Sequence, residues 1–279
     1  MRASAVLALG MLAPADALAF CQQTTRDQDT CMEDPGSPIA WRTHCMSYSL
    51  NEAGSDDLPF DVVAAAIRRS MDAWEAPDCT DFEFQETDVA TCDRVEYRHD
   101  CGNVNVVVFR ESGWVNVHGH DPAAIALSTI YFTSESAKIV STDMELNGEG
   151  YRFADDAKYV GCGEPEADCP MDLQNTVTHE AGHFIGLAHV VDGVSTMDIA
   201  EVAGDIDKRT LEADDIAAIC SIYPDGQGSC SPDPPGGLDL ACAACDTGCC
   251  TAVPGVPRGG AVGAIGLVIA MFVVWRVRR

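Results

Sequence analysis

The chain has 279 residues, 44 of them acidic and 17 basic, for a net charge of −27. So acidic a chain, with no basic stripe, is excluded from recognising a nucleic-acid backbone. Fourteen cysteines, all beyond residue 20, exclude an ordinary cytosolic protein and are read first as disulfides of an extracytoplasmic one.

At the start of the chain, Met1-Arg2, the apolar Ala5-Val6-Leu7-Ala8-Leu9 and the small-residue exit Ala17-Leu18-Ala19 read as a secretory signal peptide over residues 1–19, cut before Phe20. Residues 20–38 form an N-terminal segment. Residues 39–224, with no internal repeat, suffice for one globular unit. Within it, Val63, Ile67, Met71 and Trp74 recur at helical spacing between Phe60 and Trp74. Asn105 to Arg110 and Ile125 to Phe132 read as buried strands. His118 and His120 are expected to be solvated loop histidines. Asp143, Glu145 and Asn147 are expected in a polar turn, with a calcium loop as the alternative. Helices and strands in this alternation predict an α+β fold, an α/β sandwich. Nine cysteines fall between Cys21 and Cys220, an odd number, and proximity suggests the pairs Cys92–Cys101 and Cys162–Cys169.

Residues His179 to His189 read His-Glu-Ala-Gly-His-Phe-Ile-Gly-Leu-Ala-His. On a helix that begins with Asp172 as its N-cap, His179 and His183 lie one turn apart on one face, so both imidazoles can reach one metal ion. Gly186 can adopt the positive φ that ends the helix and lets His189 return as a third ligand. Three histidines leave the fourth zinc position open to water, which separates a catalytic zinc site from a closed structural one. Glu180 is then the base that takes a proton from that water and delivers it to a leaving amine. Met197, in Ser195-Thr196-Met197-Asp198, follows the third histidine by eight residues and is expected to pack beneath the metal.

Beyond this unit, residues 225–258 form a linker rich in Pro, Gly and Cys. Cys242, Cys245, Cys249 and Cys250 lack the spacing of a zinc ribbon. Gly259 to Trp275 is an uncharged run of 17 residues, about 26 Å as a helix and enough to cross a bilayer. Arg276, Arg278 and Arg279 after it place residues 276–279 on the cytoplasmic side and the globular unit outside. This tail resembles the C-terminal sorting signals of myxobacterial surface proteins, which implies cleavage near the cysteines; a retained single-pass anchor is the alternative.

The histidine motif with its following methionine is the signature of the metzincin peptidases. Asp172 to Thr178 before it, Thr210 to Ile219 with Tyr223-Pro224 after it, and the Phe60 helix resemble the matrixin branch. That resemblance implies a metzincin-type domain with a twisted mixed sheet, an active-site helix and a Met-turn, binding one catalytic zinc ion, with calcium as a further possible ion. It implies a metalloendopeptidase acting on protein or peptide substrates laid extended along the Ile125–Phe132 strand; the chain is expected to be a monomer, joined to the membrane through the helix of its C-terminal apolar run. Val190 departs from the serine usual after the third histidine in matrixins. The histidines that would complete a structural zinc site with His118, His120 and Asp121 are missing from Leu127–Ile130 and Ser141–Asp143. No Pro-Arg-Cys-Gly switch precedes the domain, and Cys162-Gly163-Glu164-Pro165 is only faintly like one. The alternatives to a working peptidase are a surface-binding module that keeps the fold without turnover, and a cleft closed by Cys21 to Ser37.

Overall fold

The computed structural model describes residues 20–26, 36–162, 169–243 and the backbone of 264–273. The expected signal peptide, most of the Cys21–Ser37 segment, Gly163 to Pro165, Cys245, Cys249, Cys250 and the terminal arginines lie outside the described residues.

Strand β1 (Cys45–Leu50) is followed by helix α1 (Phe60–Glu75), which carries the chain over the sheet so that β2 (Glu83–Glu86) pairs parallel with β1. Strands β3 (Val106–Phe109), β4 (Ala124–Thr133) and β5 (Lys138–Leu146) come next, β3 parallel to β1 and β5, and β4 antiparallel to β5. The short β6 (Phe153–Ala154) and β7 (Met171–Asp172) pair with each other and lead into α2 (Leu173–Phe184). Then follow β8 (Ala200–Glu201), α3 (Ala213–Ile222) and β9 (Ala264–Val273). The main sheet runs in the order β2-β1-β3-β5-β4-β9-β8. This mixed sheet with few helices fits a matrixin-type catalytic domain of the α+β class.

The periodic face of α1 is buried at Val63, Ile67, Met71 and Trp74, and Pro77 follows where the helix has ended. That face meets α2. The Trp74 indole N–H donates to the Thr178 carbonyl at 2.8 Å, and the Ser70 hydroxyl to the Gln174 carbonyl at 3.1 Å. These bonds satisfy polar atoms inside an apolar contact and fix how far along α1 the site helix sits.

Four expectations are corrected. Asp143 and Glu145 lie not in a turn but in the buried strand β5, with Asn147 just beyond it. These three polar side chains can be buried there because neighbours meet them: Asp143 accepts through Oδ1 from the Val106 N–H at 2.9 Å, Arg110 donates to Glu145 at 2.7 Å, and Asn147 donates to the Ala124 carbonyl at 2.8 Å. Cys92 bonds to Cys242, not Cys101, while Cys162–Cys169 forms as expected. Proximity in sequence failed at Cys92 because the chain after Tyr223 turns back over the sheet edge. This is the third correction, for residues up to 243 are no free linker. Cys230 is bonded to Cys45, the Asn103 N–H donates to the Gly237 carbonyl at 2.9 Å, and Asp239 pairs with Arg98 at 2.6 Å.

The fourth concerns the expected C-terminal helix, whose central residues, Ala264–Val273, form the strand β9. A short apolar run does not by itself choose between helix and strand. Here the outer edge of β4 presents unpaired backbone groups, which an extended segment can satisfy and a helix cannot. Among the described residues no helix is long and apolar enough to cross a membrane.

Candidate metal centre

Helix α2 starts where Asp172 caps it, its carboxylate accepting from the Asn175 N–H at 2.9 Å. All twelve helical residues are buried, so the imidazoles project into the interior of the fold and not into solvent. The helix stops at Gly186, whose φ is +95°. A side chain there would also collide, since a Cβ would lie 2.6 Å from the Ile39 carbonyl oxygen. Two features thus require glycine at this turn, and the reversal returns His189 to the face carrying His179 and His183.

The three histidines converge as their spacing predicts. Their Nε2 atoms are separated by 3.0 Å (His179–His189), 3.2 Å (His179–His183) and 3.2 Å (His183–His189). The Nδ1 of His179 lies 2.6 Å from the Thr196 carbonyl and that of His183 2.7 Å from the Leu187 carbonyl. A carbonyl only accepts, so each Nδ1 carries the proton and each of these Nε2 atoms presents a lone pair. Lone pairs aimed at one another in a buried space repel unless a cation lies between them. Tetrahedral zinc with Zn–N near 2.0–2.1 Å places its ligand nitrogens about 3.3 Å apart. The residues present therefore fit zinc.

Burial holds His179 and His183 well below the ordinary imidazole range; Lys208 pushes His179 the same way, and His189 does so for His183. Both rings are thus neutral, as ligation requires. For the metal-free chain this has a testable sign. A histidine whose folded pKa is depressed contributes its full stability above the unfolded value near 6.5, and that stability is lost as pH falls below it. Each ring should lower the stability of metal-free protein between pH 7 and pH 5 by up to about 1.4 kcal/mol per pH unit, while the buried Glu201 carboxyl, pushed up to about 7 by burial, contributes with the opposite sign over that range. The rings are therefore followed directly by NMR titration of the metal-free chain, and a ring that protonates near pH 6.5 would contradict buried neutral imidazoles.

Glu180 is fully buried, and its Oε2 accepts from the Ser128 hydroxyl on β4 at 2.6 Å. The turn that follows His189 is built by side chains. Asp192 accepts from the Val194 and Ser195 N–H groups at 2.9 and 3.0 Å, and Asp215 on α3 accepts from the Thr196 N–H at 2.8 Å. This fixes Thr196, whose carbonyl orients His179, and Met197, which is 3 % exposed. Met197 packs so closely on α2 that a Cβ on Gly182 would stand 2.2 Å from its sulfur and 2.8 Å from the Trp74 ring. Gly182→Ala should therefore cost about 1–3 kcal/mol in denaturant unfolding, as overpacking does. Adding Met197→Ala should recover part of that loss, and unchanged stability of the single variant would contradict the contact.

Sequence reasoning singled out His179, His183, His189, Glu180, Gly186 and Met197, which the structure brings together. It missed Ser128, Asp215, Gly182 and Gln23. The Gln23 side chain is fully buried, with Nε2 donating to the Leu187 carbonyl at 2.7 Å and lying 3.3 Å from His183 Nδ1. Cys21 to Thr24 is thus built against the turn at Gly186, with the Ala188 N–H donating to the Cys21 carbonyl at 2.9 Å. Only Gly182, inside the motif, carried a signal: a glycine in a helix interior asks for a packing reason.

His118 is exposed on its loop, as expected, but His120 is half-buried. His120 packs on Trp114 with ring centroids 4.5 Å apart, and its Nε2 is 3.1 Å from Glu145. Ligand atoms of His118, His120 and Glu145 lie within 4.8 Å of one another. Arg110 already donates to the same carboxylate at 2.7 Å and supplies the positive charge that a cation would bring. Asp121 stands apart from this group, accepting from the Ala123 N–H at 2.8 Å.

Residues 40–224 match the family model described as Matrixin. The chain is also 26% identical over 222 residues to Matrix metalloproteinase-C of Caenorhabditis elegans, an alignment that covers 77% of this chain and 34% of that protein. The chain thus spans about a third of the length of the relative it matches.

Proposed function

The chain belongs to the matrixin family of zinc-dependent metallopeptidases, and from that premise we propose that it is itself a working endopeptidase in which His179, His183 and His189 hold one zinc ion and Glu180 handles the proton. The convergence of three histidine Nε2 atoms within 3.2 Å of one another carries this reading. Zinc held by these three histidines would supply Lewis acidity, lowering the pKa of a water to near neutral and polarising a substrate carbonyl. The remaining steps are the chain's own. Glu180 takes the proton of the attacking water and returns it to the departing amine. The Ser128 hydroxyl holds the Glu180 carboxylate in place. The backbone of β4 aligns an extended peptide by main-chain hydrogen bonds.

In this reading the protein is exported and works outside the cytoplasm, consistent with the disulfides Cys45–Cys230, Cys79–Cys220, Cys92–Cys242 and Cys162–Cys169. Retention at the surface would use the C-terminal apolar run, which must leave β4 to enter a bilayer. The test is a cleavage profile of a mixed peptide library with a chain shortened to residues 20–257, which leaves the outer edge of β4 open. Cuts within peptides are expected. An absence of cuts from zinc-loaded protein would remove the peptidase reading and favour a binding module.

A further inference from the structure

We propose that Ala264–Val273 is an internal occupant of the substrate cleft, lying on β4 as an extended substrate would and keeping the enzyme latent until it is displaced. The inference rests on the peptidase reading of the metal centre.

Strand β9 pairs antiparallel with β4 along its whole length, from Ala124 opposite Phe272 to Thr133 opposite Ala264. The middle of that ladder sets Ser128 opposite Ile269. Ser128 is the residue whose hydroxyl bonds Glu180 Oε2, so the backbone of β9 runs beside the residue that holds the Glu180 carboxylate and not along a remote part of the sheet. On its other edge β9 pairs parallel with β8, Ala200 opposite Phe272 and Glu201 opposite Val273. Strand β8 comes three residues after Met197, in the segment that leaves the metal centre. The tail is therefore held in the sheet, between β4 on one edge and that segment on the other. An incoming peptide that used the β4 edge would need the same backbone donors and acceptors, and both cannot have them.

The connection makes this occupancy favourable. The disulfide Cys92–Cys242 fastens the chain to the domain, and only 21 residues separate Cys242 from Ala264. A tether of that length presents its end at an effective concentration in about the millimolar range, above that of most free peptides. Val, Ile, Leu, Phe and Met make up much of the segment, which carries no charge.

The test uses the full chain and a full-chain variant carrying Val268→Pro and Ile269→Pro. Consecutive prolines remove two adjacent backbone donors, so the pairing with β4 is broken on whichever side each one faced. Two quantities are read on zinc-loaded protein: hydrogen exchange of the Leu127–Thr133 amides, and cleavage of a quenched fluorescent peptide. In the variant the β4 amides that point toward β9 should exchange faster, and cleavage should rise by about ten-fold or more. Amides of β1 and β5 should stay protected, showing that the domain remains folded. Equal exchange of β4 in both chains would overturn the occupancy. Faster exchange with equal, measurable cleavage would overturn the latency. Faster exchange with no cleavage by either chain would leave the strand's placement standing and remove the peptidase reading beneath it.

Discussion

Glu180→Gln should lower kcat/KM by about 10³-fold or more while leaving zinc content and melting temperature close to those of the parent chain. Glutamine has nearly the volume of glutamate and can still accept from the Ser128 hydroxyl, which now donates to Glu180 at 2.6 Å. What it cannot do is receive a proton from water and pass it to an amine. The substitution therefore separates proton transfer from packing and from metal retention. It should be made in the chain of residues 20–257, so that β9 does not mask the difference. Steady-state cleavage and elemental analysis together check it. Loss of activity accompanied by loss of zinc would make Glu180 a structural part of the site, and normal turnover would remove it from the chemistry.

His183→Ala should abolish the metal site itself. His183 is tied to the turn at Gly186, with its Nδ1 2.7 Å from the Leu187 carbonyl and 3.3 Å from the Gln23 amide nitrogen. Loss of an outer partner of a metal ligand costs about 10- to 100-fold in affinity, and loss of the ligand should cost more. Because metal bound only to the folded state stabilises it, the parent should be about 4 kcal/mol more stable when zinc stands at 1,000 times its dissociation constant. The variant should show no such gain. Competition with a chelating dye and melting with and without zinc check both halves. Full zinc retention by His183→Ala would contradict the ligand assignment.

The centre of the site was legible because its parts are local. His179, Glu180, His183, Gly186 and His189 fall within one helix and the turn that ends it, where period and backbone freedom dictate geometry. Met197 was legible because it follows closely. The periodic face of α1 was equally readable, since a single helix contains the whole pattern. The supporting groups were not. Ser128 reaches Glu180 from β4, Asp215 reaches Thr196 from α3, and Gln23 reaches Leu187 from the N-terminal segment. Each is a common polar residue, and only the pairing of distant segments reveals what it holds.

The β5 strand was obscured for a related reason. Its Asp143 and Glu145 suit a turn until Val106 on the neighbouring strand and Arg110 just after it are seen to partner them. The C-terminal run shows the limit of composition alone. Apolar and uncharged, it fits a membrane helix by length, whereas in the fold an open strand edge offers it hydrogen bonds in an extended form.

The most direct measurement is a zinc titration of the residue 20–257 chain after metal removal by chelation, followed by cleavage of a library-derived peptide. Cleavage should be absent without metal, rise in proportion to added zinc and level off at about one equivalent per chain, as one His₃ site requires. Cleavage that survives complete metal removal would contradict a zinc-dependent peptidase centred on His179, His183 and His189.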